Sequence, residues 1–182
     1  MNPTVGDTAP DVGLVDADNQ PTRLATLWQQ QPLVLLFLRH LGCPFCRELV
    51  ADVRDQYPEF HRSGAEVAAV TMGTAQQAAQ FRAGLKLPFP CLADPAREAY
   101  QAFGVPRGGV TQIVGPAVWA AGLKAALRGG AGIPIGDPLQ LQGIFIIDRR
   151  GVVRYAYRAT NSADRPSAAE LLDALAALPG DA

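Results

Sequence analysis

The chain has 182 residues, 48% of them hydrophobic and 18% charged, a composition that can bury the core of one domain and excludes a disordered chain. We therefore expect a single domain over residues 1–182. The formal net charge of −1 leaves no basic excess to neutralise nucleic-acid phosphates, which excludes a general nucleic-acid binder. The sequence shows neither a secretory signal at its start nor an apolar run long enough to span a membrane, so we expect a cytoplasmic protein.

The first part of the chain predicts a hairpin followed by a β-α-β unit. The opening segment, Val5 to Asp18, ends in an Asp-Asn turn and predicts a short hairpin packed against the main domain. Pro32 to Leu38 is an apolar run typical of a buried strand, and a helical pattern follows from Pro44 until Gly64. Val67 to Val70 then predicts a second strand.

The middle of the chain predicts two more helices around a short strand. Thr74 is a good N-cap for a helix that runs to about Leu85. The segment from Leu87 to Asp94 is rich in proline, so it can form a strand only over its last few residues. Asp94 and Pro95 predict the N-cap and first position of a helix that ends at Phe103.

Residues 105–138 are rich in Gly and Pro around one amphipathic block, Ala117 to Leu127, and predict a helical insertion. This helix can pack on its own domain, or it can act as a lid or a dimer contact. Three elements complete the pattern: a central strand at Gly143 to Asp148, its antiparallel partner at Val152 to Tyr157, and a closing helix at Ser167 to Leu178. The elements together predict an α/β fold with an N-terminal hairpin and a helical insertion before the last two strands.

The most informative motif is Cys43-Pro44-Phe45-Cys46, at the turn between the first central strand and its helix. A Cys-x-x-Cys in a β-α-β unit without secretory features is typical of a redox dithiol. Because proline fits best at the first helical position, Cys43 falls at the N-cap and Cys46 at the third helical position. Unpaired N–H groups and the positive end of the helix dipole favour a thiolate there, with a pKa lowered from about 8.5 to roughly 3.5–7.5. We predict Cys43 and Cys46 as the catalytic pair, able to close a Cys43–Cys46 disulfide.

Arg39, His40 and Arg47 lie near the pair in sequence, and their positive or protonatable groups can tune the pKa of a thiolate. His40 can equally be a polar residue that marks the end of the strand. A zinc or iron–sulfur site is an alternative use of the thiols. The remaining Cys and His residues form no second paired motif, so we predict no metal and no cofactor, and we interpret Cys91 as a core residue. Two inert core cysteines are the other alternative, but a Cys-Pro-aromatic-Cys turn has little packing reason to open a helix.

Three motifs carry a resemblance to a known family: Val5-Gly6-Asp7-Thr8-Ala9-Pro10-Asp11, Phe89-Pro90-Cys91-Leu92-Ala93-Asp94, and Gly143-Ile144-Phe145-Ile146-Ile147-Asp148 with Gly151-Val152-Val153-Arg154. They resemble peroxiredoxins of the alkyl hydroperoxide reductase and thiol-specific antioxidant (AhpC/TSA) family, and the match covers nearly the whole chain. The stretch from Arg39 to Glu48 is similar to the peroxiredoxin-like branch with a paired redox motif, as in selenoprotein L. The resemblance implies a thioredoxin-like fold, a mixed β-sheet flanked by helices, with the reactive group on the first turn of the helix after the central strand.

The departures from the family pattern concern the groups that bind peroxide. Peroxiredoxins carry Pro-x-x-x-Thr-x-x-Cys, and the resemblance puts the proline at Arg39, the threonine at Cys43 and the peroxidatic cysteine at Cys46. The arginine that precedes the family's Gly-Leu-Phe-Ile-Ile-Asp segment falls at Gln142. These groups polarise the peroxide oxygens in the family, so less electrostatic help is expected here. Gln142 can donate a hydrogen bond without a charge, and Arg39 can replace the missing charge only if it points inward.

The two interpretations disagree about which sulfur attacks. The N-cap argument favours Cys43 as nucleophile with Cys46 resolving, because an N-cap side chain is expected to be more exposed and closer to free N–H groups. The resemblance favours the reverse. We favour Cys43.

The function predicted is a thiol-based oxidoreductase that cycles the dithiol to reduce peroxide or disulfide substrates, and that a thioredoxin- or glutathione-type reductant regenerates. The alternative is a non-catalytic redox sensor or binding module that uses the dithiol as a switch and residues 105–138 as a contact surface. A homodimer is compatible with either function, and the sequence leaves the physiological oxidant and electron donor open.

Overall fold

A computed structural model describes residues 2–114 and 135–178. In these ranges seven strands form one mixed sheet with the order β2-β1-β5-β4-β3-β6-β7. The strands are β1 (Gly13–Val15), β2 (Pro21–Arg23), β3 (Leu33–Phe37), β4 (Glu66–Thr71), β5 (Cys91–Ala93), β6 (Gly143–Ile147) and β7 (Val153–Arg158). The helices of the same ranges are α1 (Ala25–Trp28), α2 (Pro44–Asp55), α3 (Tyr57–Arg62), α4 (Ala75–Gly84), α5 (Glu98–Ala102), α6 (Val110–Val114) and α7 (Ala168–Ala176). None of these helices is long and apolar enough to cross a membrane.

Strand β3 is the centre of the sheet. It pairs in parallel with β4 and antiparallel with β6, and every residue from Leu33 to Phe37 is buried. A continuous apolar run suits a strand that is covered on both faces, which explains why this segment shows no alternation of polar and apolar residues. Strand β5 continues the parallel arrangement beside β4, so the carboxyl ends of β3, β4 and β5 lie at the same edge of the sheet.

The two faces of the sheet are covered by different helices. Val34 and Leu36 of β3 face a core that contains residues of α2, α3, α4 and α7, whereas Leu35 and Phe37 face a core built with α1 and α5. Successive side chains of a strand point to opposite faces, so this division follows directly from the pleat. The predicted mixed sheet flanked by helices is confirmed.

The N-terminal hairpin forms slightly later in the chain than expected. Strands β1 and β2 flank a turn at Asp16–Gln20, rather than lying within Val5 to Asp18. The Asp16 carboxylate accepts hydrogen bonds from the backbone N–H groups of Asp18 and Gln20, at 2.9 and 2.8 Å. An aspartate that bonds the following backbone in this way stabilises the turn.

The prediction of one helix from Pro44 to Gly64 is wrong, because the helix ends at Asp55 and α3 begins at Tyr57. Gln56, between them, has φ −105° and ψ 9°. Pro58 explains the break: it has no N–H to donate, and its ring would clash with the carbonyl four residues earlier in a continuous helix.

The helix expected to begin at Pro95 begins instead at Glu98. Arg97 has a left-handed backbone with φ 60°, which interrupts the turn before the helix. The Asp94 carboxylate nevertheless caps the helix, since it accepts the N–H groups of Glu98 and Ala99 at 3.0 and 2.9 Å. Asp94 thus supplies capping hydrogen bonds, but the N-cap is Arg97, so the prediction of Asp94 as N-cap and of Pro95 as the first helical residue is wrong.

The predicted helix from Ala117 to Leu127 lies outside the described residues. Of the predicted insertion, the structure describes residues 105–114, which include α6, and residues 135–138. Strands β4, β6 and β7 and helices α4 and α7 form where the sequence predicts them, and Thr74 and Ser167 begin the two helices with capping boxes. The short helices α1 and α6 were not predicted.

Candidate active site

The two cysteines of the paired motif lie at the start of α2, directly after the carboxyl end of β3. Cys43 is the N-cap with an extended backbone, φ −68° and ψ 120°, and Pro44 takes the first helical position. The Cys43 N–H donates to the carbonyl of His40 at 2.9 Å, which closes the turn between strand and helix. This placement confirms the position that the sequence predicts for the pair.

Both sulfurs are more enclosed than expected. The side chains of Cys43 and Cys46 are 0% exposed, so the prediction that the N-cap cysteine is the more exposed of the two is wrong. Cys43 packs into the same apolar cluster as Leu41 and Phe45, which covers it. The two sulfurs therefore become accessible from solvent only when the residues that cover them move, as in a local opening of the folded protein.

Arg39 points inward and contacts the pair with both its backbone and its side chain. Its guanidinium Nη1 lies 3.2 Å from the Sγ of Cys43, and its backbone N–H donates to the Sγ of Cys46, also at 3.2 Å. Two carbonyls hold the rest of the guanidinium: Nε donates to Gln140 at 2.8 Å and Nη2 donates to Pro138 at 2.9 Å. Arg39 is only 3% exposed, so its charge acts on the sulfur with little screening by water.

The pKa of Cys43 is lowered from its ordinary value to about 6. The largest cause is a hydrogen bond from the thiol of Cys46, which lowers the pKa. Burial comes second and raises it, and the positive charge of Arg39 comes third and lowers it. The backbone N–H groups of Cys46 and Phe45 add to the lowering, although no N–H forms a regular capping hydrogen bond with the side chain. Cys43 is therefore mostly thiolate at neutral pH.

The pKa of Cys46 moves the other way and lies well above its ordinary value. Burial is the largest cause, and the hydrogen bond to Cys43 and the negative charge of that sulfur add to it. Cys43 is thus the thiolate of the pair, and Cys46 is the protonated thiol that donates a hydrogen bond to it. Paired titratable groups whose environments separate their pKa values are typical of sites with two distinct chemical roles.

The other predicted tuning residues make different contributions. His40 stays neutral at pH 7, because burial and the charge of Arg39 lower its pKa to about 4. The guanidinium of Arg47 lies over the ring of Phe81, 5.8 Å from the ring centre. Of the three predicted neighbours, Arg39 is thus the one whose charge acts on the Cys43 thiolate.

Gln142 is fully buried, and among residues 2–114 and 135–178 neither the nitrogen nor the oxygen of its side-chain amide has a hydrogen-bond partner. It directly precedes β6, where Ile144 and Ile146 face the core that contains both cysteines, so alternation puts Gln142 on that same face. A buried polar group without a partner costs about 1–3 kcal/mol, and natural proteins retain such groups mainly where function needs them.

Replacing Gln142 with leucine is expected to raise the free energy of unfolding by about 1–2 kcal/mol, because it removes an unpaired buried amide. Gln140→Leu is the matched control, since the Gln140 amide donates to the carbonyls of Val105 and Pro106 at 3.2 and 2.9 Å and its loss should destabilise the protein. Urea unfolding measures both changes. If Gln142→Leu lost as much stability as Gln140→Leu, the Gln142 amide would have hydrogen-bond partners after all.

Cys91 and Tyr100 also lie near the carboxyl ends of the central strands. Burial raises the pKa of Cys91 to about 12, so this residue stays a thiol, in agreement with its interpretation as a core residue. The hydroxyl of Tyr100 lies 2.6 Å from the carbonyl of Leu38 and 2.9 Å from that of Val70, which ties α5 to the carboxyl ends of β3 and β4. Within residues 2–114 and 135–178, no group of three or more His, Cys, Asp or Glu side chains is placed to hold a metal ion.

A mixed sheet with a thiol pair at the start of the helix that follows its central strand is a thioredoxin-like fold of the peroxiredoxin type. The model of the AhpC/TSA family matches residues 5–156, and the chain belongs to this family. The crystal structure of peroxidoxin BcpB from Mycobacterium tuberculosis has the same fold, with a TM-score of 0.74 and 24% identity over 98% of this chain and 100% of that one.

Two relatives in sequence extend the comparison. The chloroplastic peroxiredoxin Q of Oryza sativa subsp. japonica is 27% identical over 152 residues, which cover 84% of this chain and 58% of the relative. The prostamide/prostaglandin F synthase of Danio rerio is 28% identical over 158 residues, which cover 84% of this chain and 78% of the relative. The chain spans less than two thirds of the length of the peroxiredoxins that it matches in this way. The predicted membership of the AhpC/TSA family is confirmed, and the likeness to selenoprotein L stays a prediction.

Proposed function

We propose that this protein is a thiol peroxidase in which Cys43 is the nucleophile and Cys46 the resolving cysteine. The observation that carries the proposal is the contact of 3.2 Å between the buried guanidinium of Arg39 and the sulfur of Cys43. A thiolate, rather than a thiol, attacks a peroxide, and this contact favours the thiolate. The chain's place in the AhpC/TSA family and its likeness to peroxiredoxin Q support peroxides as substrates.

The proposed reaction has two steps on the protein. The Cys43 thiolate attacks one peroxide oxygen, the O–O bond breaks, and the other oxygen takes a proton from solvent and leaves as an alcohol or water. Cys43 is now a sulfenic acid. The sulfur of Cys46 attacks it, the S–O bond breaks, and hydroxide leaves as water with the proton of the Cys46 thiol, so that the Cys43–Cys46 disulfide forms.

Arg39 and Gln142 are the groups that we propose to assist the first step. Arg39 supplies the positive charge that the resemblance assigns to a different position, and its guanidinium already lies beside the attacking sulfur. The free amide of Gln142 offers a hydrogen bond to the departing oxygen once a peroxide enters. An external dithiol or glutathione would then reduce the disulfide and complete the cycle.

The experiment that tests the proposal is the stoichiometry of peroxide consumption in the presence of a thioredoxin or glutathione reducing system. We expect steady consumption of many equivalents of hydrogen peroxide or an alkyl hydroperoxide per protein chain. Protein in which both cysteines are serine is the control for consumption by the reducing system itself. A single equivalent consumed, followed by a stable disulfide that neither reductant removes, would contradict the enzyme and favour a redox sensor.

A further inference from the structure

A cavity of about 310 Å³ lies beside the residues that hold Arg39. Its volume is at the lower end of the range found for small-molecule sites, and it is partly open to solvent. Among the described residues, its lining consists of Arg97, Tyr100, Gln101, Val105, Arg107 and Gln140. Two of these six side chains carry a guanidinium and none carries a carboxylate, so the described lining favours an anionic ligand.

The two arginines of the lining meet at one carboxylate oxygen. Nη1 of Arg97 lies 2.6 Å, and Nε of Arg107 lies 2.7 Å, from Oδ2 of Asp137. Two positive charges therefore face one negative charge. A guanidinium has five N–H donors, and the closest contacts of this cluster use one nitrogen of each arginine. The arginine side chains are 34% and 58% exposed, so a ligand that enters the cavity can reach both of them.

The backbone fixes both arginines at the cavity. Arg97 has a left-handed conformation, with φ 60° and ψ 29°, which is uncommon for a residue that carries a Cβ. The carbonyl of Asp94 accepts the Arg97 N–H at 3.0 Å and holds it there. Arg107 pairs with Gln140 in an antiparallel bridge. Strained conformations that the surrounding structure maintains are found mainly at functional sites, ligand sites among them.

The carboxylate between the two arginines also holds the turn that orients Arg39. Oδ1 of Asp137 accepts the N–H of Leu139 at 3.0 Å, and its carbonyl accepts the N–H of Gln140 at 3.1 Å. The carbonyls of Pro138 and Gln140 in this turn are the ones that bind the guanidinium of Arg39. A continuous series of polar contacts therefore connects the cavity with the sulfur of the nucleophile.

We propose that this cavity is a second binding site, in which Arg97 and Arg107 bind a small polar organic anion through its carboxylate or phosphate group, and that the bound anion regulates the thiol pair. The anionic group competes with Asp137 for the two guanidinium groups, since carboxylates and phosphates form the strongest hydrogen bonds with arginine. A cavity of about 310 Å³ has room for more than this group alone, so the ligand is an organic molecule rather than a bare ion.

The direction of the regulation follows from the contacts. Release of Asp137 loosens the turn that holds Arg39, and the ligand also brings a negative charge to this side of the protein. Both effects disfavour the Cys43 thiolate, so the occupied protein reacts more slowly. Because coupling between two sites is reciprocal, protein in which the pair is a neutral disulfide binds the anion more tightly than the reduced protein. The regulation rests on the Cys43 thiolate of the proposed function, whereas the binding site does not.

The first experiment is calorimetry of the wild-type protein with four probes at constant ionic strength: glycerol 3-phosphate, glycerate, glycerol and inorganic phosphate. We expect binding of glycerol 3-phosphate or glycerate and none of glycerol. The tighter of the two organic anions identifies the preferred group, phosphate or carboxylate. Absence of binding by both organic anions at millimolar concentration, or equal affinity for inorganic phosphate and glycerol 3-phosphate, would overturn a site for an organic anion.

Three variants test which residues bind the probe. Arg107→Met should weaken binding about tenfold, because it removes one of the two cations. Asp137→Asn should strengthen binding about tenfold, because it removes the competing charge and keeps an oxygen for the Leu139 N–H. Arg23→Met is the matched control: Arg23 is paired with Asp11 at 2.7 Å outside the cavity, so its loss should leave the affinity unchanged. Unchanged binding in Arg107→Met, or weaker binding in Asp137→Asn, would overturn the assignment.

The last experiment uses the wild-type protein and therefore holds even if a variant does not fold. The rate at which Cys43 of the reduced protein is alkylated at pH 6 is measured with and without a saturating concentration of the probe that binds. We expect the bound anion to slow alkylation about fivefold, and protein oxidised with diamide to bind the probe more tightly. Equal rates, or equal affinities of the two redox forms, would refute the regulation. Absence of peroxide turnover would refute only the proposed function, since no step here uses a peroxide.

Discussion

Replacing Arg39 with methionine is expected to lower the thiolate fraction of Cys43 at pH 7. Methionine keeps much of the volume but removes the charge that lies 3.2 Å from the sulfur. Burial opposes ionisation of this group, so without the cation we expect the pKa of Cys43 to rise from about 6, although the hydrogen bond from the Cys46 thiol, the largest cause of the lowering, remains. The absorbance of the thiolate near 240 nm, followed against pH, measures the change.

The same substitution should slow the reaction with peroxide at pH 7, by a smaller factor than it lowers the thiolate fraction. A thiolate of higher pKa is a better nucleophile, so part of the loss in thiolate fraction is offset. Arg47→Met is the control, because the guanidinium of Arg47 lies over the ring of Phe81. Equal rates and equal pKa values in Arg39→Met and the wild type would show that Arg39 does not activate the sulfur.

The two cysteines should differ sharply when each is replaced by serine. In Cys43→Ser we expect peroxide consumption to fall at least a thousandfold, since burial, the largest cause of the raised pKa of Cys46, persists in the variant, and burial also keeps Cys91 a thiol. In Cys46→Ser we expect the first step to survive, because Cys43 keeps its contact with Arg39. That variant should stop after one equivalent, with a sulfenic acid on Cys43.

A sulfenic-acid probe and peptide mass spectrometry identify the oxidised residue in the two serine variants. The Cys46→Ser protein should carry the probe on Cys43 after one equivalent of peroxide. The opposite pattern, a probe on Cys46 in Cys43→Ser protein that reacts at the wild-type rate, would restore the assignment that the family resemblance favours.

Much of the fold and the place of the thiol pair could be predicted from the sequence because both depend on local patterns. The apolar run at β3 has the composition of a strand covered on both faces, and Pro44 sets the start of α2 one residue after Cys43. A proline has one favourable place in a helix, so the N-cap position of Cys43 follows from its neighbour alone.

The surroundings of the sulfurs depend on distant parts of the chain, and the sequence could not predict them. The carbonyls that orient Arg39 belong to Pro138 and Gln140, about a hundred residues later in the chain. Because every residue has a backbone carbonyl, the sequence does not reveal which of them bind the guanidinium. The burial of Cys43 likewise results from packing in the tertiary core rather than from its place at the N-cap. The family resemblance alone drew attention to Gln142. The structure then shows that its side-chain amide has no hydrogen-bond partner among the described residues.

The most direct test of the whole account is the rate of alkylation of the reduced protein as a function of pH, with the labelled cysteine identified by mass spectrometry. Because a thiolate reacts and a thiol does not, the rate should rise with pH through a midpoint near 6, with the label on Cys43 and none on Cys46 below pH 8. The midpoint should disappear in Cys43→Ser. A midpoint at or above that of a free cysteine, or a first label on Cys46, would contradict a Cys43 thiolate held by Arg39.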